Sequence, residues 1–254
     1  MSTAHEIAAL LPDPARLRAR LRALAVLDAT IGDDPRFCHY TYATAWGPGE
    51  EAALMDNGSG DDFSVLFTPA GVLIRGFDHE SEMSPYGTDD EEVWPGVIDE
   101  VPAALRPLLD DPAFFDEGID VPRVTVCLWW ETGDTAWRTG SAITYPAGSE
   151  DPDGSGFLFH LLTDRSPEAV QAHFEDYYER PVPLEAVRHV LAGHPVTPAI
   201  TRALNPTARR VVAEAAESQH QVGTGTRKGG GATESGPPRT AIQKKTINKQ
   251  RQQH

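Results

Sequence analysis

Two tight turns, each flanked by apolar β-prone runs, constrain this chain more than any other feature. Thr68-Pro69-Ala70-Gly71 separates residues 62–67 from 72–77, and Asp56-Asn57-Gly58-Ser59-Gly60 separates 51–55 from the same 62–67 run. Proline presets φ near about −65° for a turn, while Asn and Gly accept backbone conformations that bulkier residues avoid, so each break reverses the chain within a few residues. Parallel pairing would need a crossover of roughly a dozen residues, which neither connection can supply. The three runs are therefore expected as neighbours in an antiparallel meander. Residues 37–46, aromatic and alternating, and 124–131, β-branched and apolar, predict further strands. Residues 136–138 and 157–162 predict two more, on either side of the polar loop 146–154.

Helical signals frame these runs. Asp13 before Pro14 is a helix start, its carboxylate facing the open N–H groups of the first turn, and Leu17, Leu21, Leu24 and Ile31 then recur at helical spacing, predicting a helix over 14–31. Residues 97–109 carry an apolar face of Val97, Val101, Ala104, Leu105 and Leu108, but Pro102 and Pro107 predict a ragged helix. Ser166-Pro167, Thr197-Pro198 and Asn205-Pro206 each place a capping residue before proline, and Gly193 is positioned to end a helix before it. The expected architecture is α+β: a mostly antiparallel sheet with an N-terminal helix and a C-terminal helical group, built as a single domain over 1–218.

Charge divides the chain. Residues 1–216 hold 36 carboxylates against 15 arginines and no lysine, a charge of −21, whereas 217–254 hold 7 basic residues against 2 acidic, a charge of +5. Residues 219–254 are rich in Gly, Ser, Thr, Gln and Lys and offer too little apolar surface to offset the entropy of ordering, so this stretch is expected to be a disordered basic tail. A basic arm can attract nucleic acid, but the acidic body would repel the same phosphates, and no nucleic-acid partner is expected. The apolar runs are far shorter than the roughly 20 residues of a transmembrane helix, and the N-terminus shows no basic segment ahead of an apolar one, so no membrane association is expected and a cytoplasmic location is. Cys38 and Cys127 are expected as reduced thiols.

The densest polar cluster is Gly76-Phe77-Asp78-His79-Glu80-Ser81-Glu82, at the predicted end of a strand. A hydrolytic reading uses Asp78, His79 and Glu80 for proton transfer, with or without a divalent cation that would also recruit a distant His39 or His160. Against it, the sequence holds no H-E-x-x-H, H-x-x-x-H, C-x-x-C or G-x-S-x-G pattern, so no metal ligand set and no cofactor is assigned. The plainer reading has Asp78 and Glu80 capping the following loop or helix and His79 taking up a neighbouring hydrogen bond. Gly58-Ser59-Gly60 and Gly154-Ser155-Gly156 read as turn glycines, since neither leads into a helix carrying Lys-Ser/Thr. Between 78 and 120 there are fourteen carboxylates and one arginine, Arg106, a concentration that suits either a solvated face or docking of a basic partner. The candidate binding residues are Asp78, Glu80, Glu82, Asp89, Asp90, Glu91, Glu92 and an apolar anchor from Trp94, Trp129 or Trp130; alternation places the last two on opposite faces of their strand.

The residues Asn57-Gly58-Ser59-Gly60-Asp61-Asp62, the 76–85 segment, Val93-Trp94-Pro95-Gly96-Val97 and Asp151-Pro152-Asp153-Gly154 resemble a pattern recurrent in uncharacterised bacterial proteins, over roughly 37–206. Similarity to the small acidic proteins encoded beside polymorphic toxins implies an immunity role: a non-catalytic monomer or weak dimer that occludes a basic partner such as a toxin. The tail gives the first test. Deleting 219–254 is expected to leave the thermal midpoint within about 2 °C, and a loss of about 5 °C or more in a melting experiment would show that the tail docks on the body.

Overall fold

The computed structural model describes residues 2–87, 92–111 and 121–207. Its strands β1 (Tyr40–Gly47), β2 (Glu50–Asp56), β3 (Asp62–Thr68), β4 (Gly71–Phe77) and β5 (Val126–Glu131) form one sheet in sequence order, each neighbouring pair antiparallel. Both turns act as their residues require. Thr68 pairs with Gly71 across the 68–71 turn, whose Ala70 N–H donates to Thr68 Oγ1. Gly71 also admits β5: at its φ of +149° a Cβ would stand 2.2 Å from the Trp130 carbonyl oxygen.

Among the described residues the helices are α1 (Ala4–Leu10), α2 (Pro14–Ile31), α3 (Ser155–Leu158), α4 (His160–Thr163), α5 (Pro167–Tyr178), α6 (Leu184–Leu191) and α7 (Pro198–Leu204). The fold is α+β, with an N-terminal helical pair and C-terminal helices around an antiparallel sheet. The Asp13 carboxylate accepts from the N–H groups of Ala15 and Arg16, and Ser166 and Thr197 cap α5 and α7 in the same way. None of these helices is long and apolar enough to cross a membrane.

Every residue of β4 and all but the last of β3 are buried, so the sheet is covered on both faces. Phe63, Val65, Phe67, Ile74 and Leu128 face Leu17, Leu21, Leu24, Leu27 and Ile31 of α2, together with α5 and α6. The opposite face carries Leu73, Cys127 and Trp129 and is covered by Met83, Val97, Val101, Leu105 and Leu109. Arg75 lies on that face too, 3% exposed, donating to the Asp62 carboxylate and to the Arg123 carbonyl, while Arg123 donates to the same carboxylate. On the helical side, the buried Asp28 of α2 accepts from the Tyr40 N–H at 2.7 Å and the Tyr178 hydroxyl at 2.5 Å, tying α2, β1 and α5 together. Cys127 is buried, Cys38 half-buried, and neither is in a disulfide.

Several elements differ from those predicted. Residues 157–162 are helical: Asp151 accepts from the N–H groups of Gly156 and Phe157, and Asp153 from that of Ser155, caps that start a helix where alternation alone suggested a strand. Residues 136–138 contribute a single bridge, Arg138 with Trp129. The 97–109 segment forms turns and one 3₁₀ turn, Arg106–Leu108, because Pro102 and Pro107 withhold the N–H groups a helix needs. The first strand begins at Tyr40, after a 3₁₀ turn, Pro35–Phe37, capped by Asp34. Helix α1 gave no sequence signal, since its Thr3 side chain makes no capping bond and the Ala4 N–H is met from far along the chain by Asp153 at 2.7 Å. Residues 208–218 of the expected domain and the 219–254 tail lie outside the described residues.

Trp129 and Trp130 do point to opposite faces. Trp129 is 3% exposed within the second core, whereas Trp130 is half-buried on the helical side, edge-to-face with Trp137 at 5.6 Å. Trp129→Ala is expected to cost about 3–5 kcal/mol in urea unfolding, as a core truncation. Trp130→Ala should cost about 1–2 kcal/mol, since only part of its area leaves water; equal costs would contradict this difference in depth.

Candidate functional site

The site arises from the register of one hairpin. Pairing set at the 68–71 turn runs unbroken to Asp62 opposite Phe77, so the next residues outward, Asp61 and Asp78, emerge together at the end of the sheet. The loop before β3 is shaped by its own side chains: Asp56 Oδ1 accepts from the Gly58 N–H at 2.7 Å, and Asn57 Oδ1 accepts from Ser59 at 2.8 Å and Asp61 at 3.2 Å. This presents the Asp61 carboxylate to His79, whose N–H donates to Oδ1 at 3.0 Å and whose Nδ1 lies 2.6 Å from the same oxygen; Asn57 Nδ2 donates to Oδ2 at 2.6 Å. Asp78 Oδ1 accepts from the Glu80 N–H at 2.9 Å. Behind it stands Gly154, φ +71°, where a Cβ would lie 2.3 Å from that of Asp78, so glycine alone permits the approach.

Depth differs along the group: the Asp61 side chain is 7% exposed, that of His79 45% and that of Glu80 84%. Burial pushes Asp61 up, but the bonds from His79 and Asn57 outweigh it and hold the carboxyl below its ordinary value. The Asp61 hydrogen bond raises His79 against a smaller effect of burial. Burial raises Asp78, assisted by the negative charges of Asp61 and Asp151 and opposed by the Glu80 N–H. Two neighbouring carboxyls are thus moved in opposite directions, with an imidazole fixed at Nδ1 and its Nε2 4.0 Å from Glu80 Oε1. The group can carry a proton at His79. Among the described residues, Asp61, Asp78 and His79 are also the set that could hold a divalent cation, one ligand atom from each lying within 4.8 Å of the others.

The structure thus brings Asp78 and His79 together with Asp61, a residue that the sequence analysis left in a turn. His39 and His160 belong elsewhere: their rings lie 6.2 and 5.6 Å from that of His173, which burial beside them pushes down to about 4. The plainer reading of Asp78 and His79 matches these bonds, although Glu80 projects into solvent. The hydroxyl of Ser81 is committed, donating to the Pro152 carbonyl at 2.7 Å and accepting from Met83 at 3.0 Å. Glu82 and Glu92 are exposed; Trp94 is half-buried, its indole N–H on the Thr144 carbonyl at 2.9 Å. Asp89, Asp90 and Glu91 lie outside the described residues. No protein-family model matches the chain, and no match to it was found among curated proteins or solved structures.

The His79–Asp61 bond has a defined pH window. The imidazole's raised pKa means that its contribution is present below the ordinary value of 6.5 and lost as pH rises through the raised one; the carboxyl's lowered pKa means that its contribution is present above 3.8 and lost as pH falls through the lowered one. An NMR titration of the His79 ring is expected to show a midpoint above 6.5, falling to 6.5 or below in Asp61→Asn and changing little in Glu80→Gln. An unshifted midpoint in Asp61→Asn would remove Asp61 as the cause.

Proposed function

We propose that this chain is a non-catalytic binding protein that holds a basic protein partner against the acidic surface of the 78–111 segment, with Trp94 as apolar anchor, and acts by occlusion as immunity-type proteins do. The observation that supports this is where the arginines go. Arg18 and Arg22 pair with Glu51, Arg75 and Arg123 with Asp62, Arg138 with Asp134, and Arg188 with Glu168 and Glu185. Among the described residues none pairs with Glu82, Glu92, Asp99, Glu100 or Asp110, all exposed. Arg106, the one arginine of the segment, places its guanidinium on the carbonyls of Ile98 and Asp99 at 2.9 and 2.8 Å, which orders the loop without neutralising a carboxylate. A field of one sign, uncompensated and next to a half-buried tryptophan, steers and seats a cationic surface. Trp129 is core and Trp130 lies on the helical face, which leaves Trp94 for the anchor.

The test uses full-length protein and the partner captured from the source cell. Reversing charge at Glu82, Glu92 and Asp110 together is expected to slow association at least tenfold at low salt and to flatten its salt dependence, with stability nearly unchanged because exposed charges without structural bonds contribute little singly. Reversal at Asp176 and Glu179, exposed near the end of α5, should stay within about twofold. Residues Asp151 and Asp153 cannot serve as that control, since they cap α3. Equal loss in both variants would make the field diffuse and the face wrong. Stoichiometric zinc or manganese in the purified chain, lost in His79→Ala, would instead favour the hydrolytic reading at Asp61, Asp78 and His79.

A further inference from the structure

Three of the chain's nine histidines meet at one place, brought there by three separate segments: His39 just ahead of β1, His160 at the start of α4 and His173 within α5. The His173 ring touches both others, 6.2 Å from that of His39 and 5.6 Å from that of His160. It also packs edge-on against Tyr40 of β1 at 5.6 Å and Phe174 at 5.2 Å. Its Nε2 is buried and meets no hydrogen-bond partner among the described residues. The His39 ring is buried at 3.6 Å from that of Tyr177. His160 is exposed, and its Nδ1 donates to the Phe157 carbonyl at 2.9 Å, which leaves Nε2 to take up a proton.

The charges around this cluster do little to answer a cation inside it. Asp176 of α5 favours a charged His173 but projects into solvent, and Asp164, after α4, faces His160 and accepts from the Ser166 N–H. Asp28 of α2 is taken by the Tyr40 N–H and the Tyr178 hydroxyl, and Asp56 of β2 accepts from the Gly58 N–H; both, with Cys38, face Tyr177. Arg20 of α2, set on the carbonyls of Leu161, Asp164 and Arg165, adds a fixed positive charge facing Tyr40. On α6, Arg188 is paired with Glu168 and Glu185, and His189 Nε2 lies 2.9 Å from the Pro195 carbonyl. The hydroxyls of Tyr40 and Tyr177 stay neutral, burial raising both above their ordinary value.

We infer that the three-histidine contact is an acid-operated latch, which holds α5 against β1 while the rings are neutral and releases the helix when they are protonated. Neutral imidazoles pack as aromatic bodies. In the imidazolium both ring nitrogens carry hydrogen, so Nε2 of His173 becomes a buried donor with nothing to receive it, beside two rings that gain the same charge. Helix α5 is the part that gives way, because it buries only Val170 and Phe174, whereas α2 buries nine residues. Burial, with the two neighbouring imidazoles, pushes His173 from 6.5 down to about 4. The open helix therefore binds the proton more tightly than the closed one, so the contact is intact above 6.5 and weakens as pH falls towards 4. The latch lies on the helical side of the sheet and is independent of the docking surface.

The test is amide hydrogen exchange of the full chain at pH 7.5 and 5.0, corrected for the chemical exchange rate. Protection across 167–178 is expected to fall at least tenfold at the lower pH, with β3 and β4 changing less than about threefold. His173→Phe keeps a ring against Tyr40 and takes no proton, so its α5 should change less than about twofold. An NMR titration should place the His173 midpoint below 6.5 and move it upward in His160→Gln, where a neighbouring charge is gone. If His173→Phe fails to fold, the midpoints in the native chain and in His160→Gln decide. A His173 midpoint at or above 6.5, equal α5 protection at both pH values, a fall shared equally by the sheet, or one that persists in folded His173→Phe overturns the latch.

Discussion

Burial of β3 and β4 on both faces is the constraint that organises the molecule. An antiparallel hairpin with one wet face needs a single cover, but here alternate residues on either side are apolar, so the sheet needs two. Helices α2, α5 and α6 supply one, with leucines at successive turns of α2 against Phe63, Val65 and Phe67. The second comes from a chain that cannot be a regular helix. Pro102 and Pro107 interrupt it, yet Val97, Val101, Leu105 and Leu109 all reach the core beside Leu73 and Trp129. The hydrophobic demand of the sheet is met by side chains while the backbone stays in turns.

Arg75 shows what that second cover encloses. A guanidinium buried on a sheet face is costly unless its charge is answered, and Asp62 on the adjacent strand answers the charge while Asp62 and the Arg123 carbonyl accept from its two terminal nitrogens. Asp62 receives Arg123 as well, so one carboxylate serves two arginines. The same economy of cations runs through the molecule: arginine joins strands, caps and helices elsewhere, and among the described residues none pairs with Glu82, Glu92, Asp99, Glu100 or Asp110.

The signals that were readable in the amino-acid order are local ones. Asp13, Ser166 and Thr197 each cap through a side chain two or three residues from the N–H it accepts, so the starts of α2, α5 and α7 could be placed without knowing the rest of the fold. Residues 157–162 misled because Phe, Leu, Phe, His, Leu, Leu fits alternation as well as a helix turn; the decision belonged to Asp151 and Asp153, read as ordinary loop acids. Of the candidate site, Asp78 and His79 were visible as a polar cluster. Asp61 was not, because its bond to His79 joins residues eighteen positions apart.

What the amino-acid order determined alone was the meander, the principal helices and the separation of an acidic arginine-only body from a basic tail, all of which follow from turn chemistry, periodicity and composition. Tertiary structure alone decided which charges are answered. Whether a carboxylate holds an arginine, as Asp62 does, or faces water, as Glu92 does, depends on what packs within a few ångströms of it, and that distance is set by chain segments far apart in sequence. Composition can count charges, but only the packed chain places them.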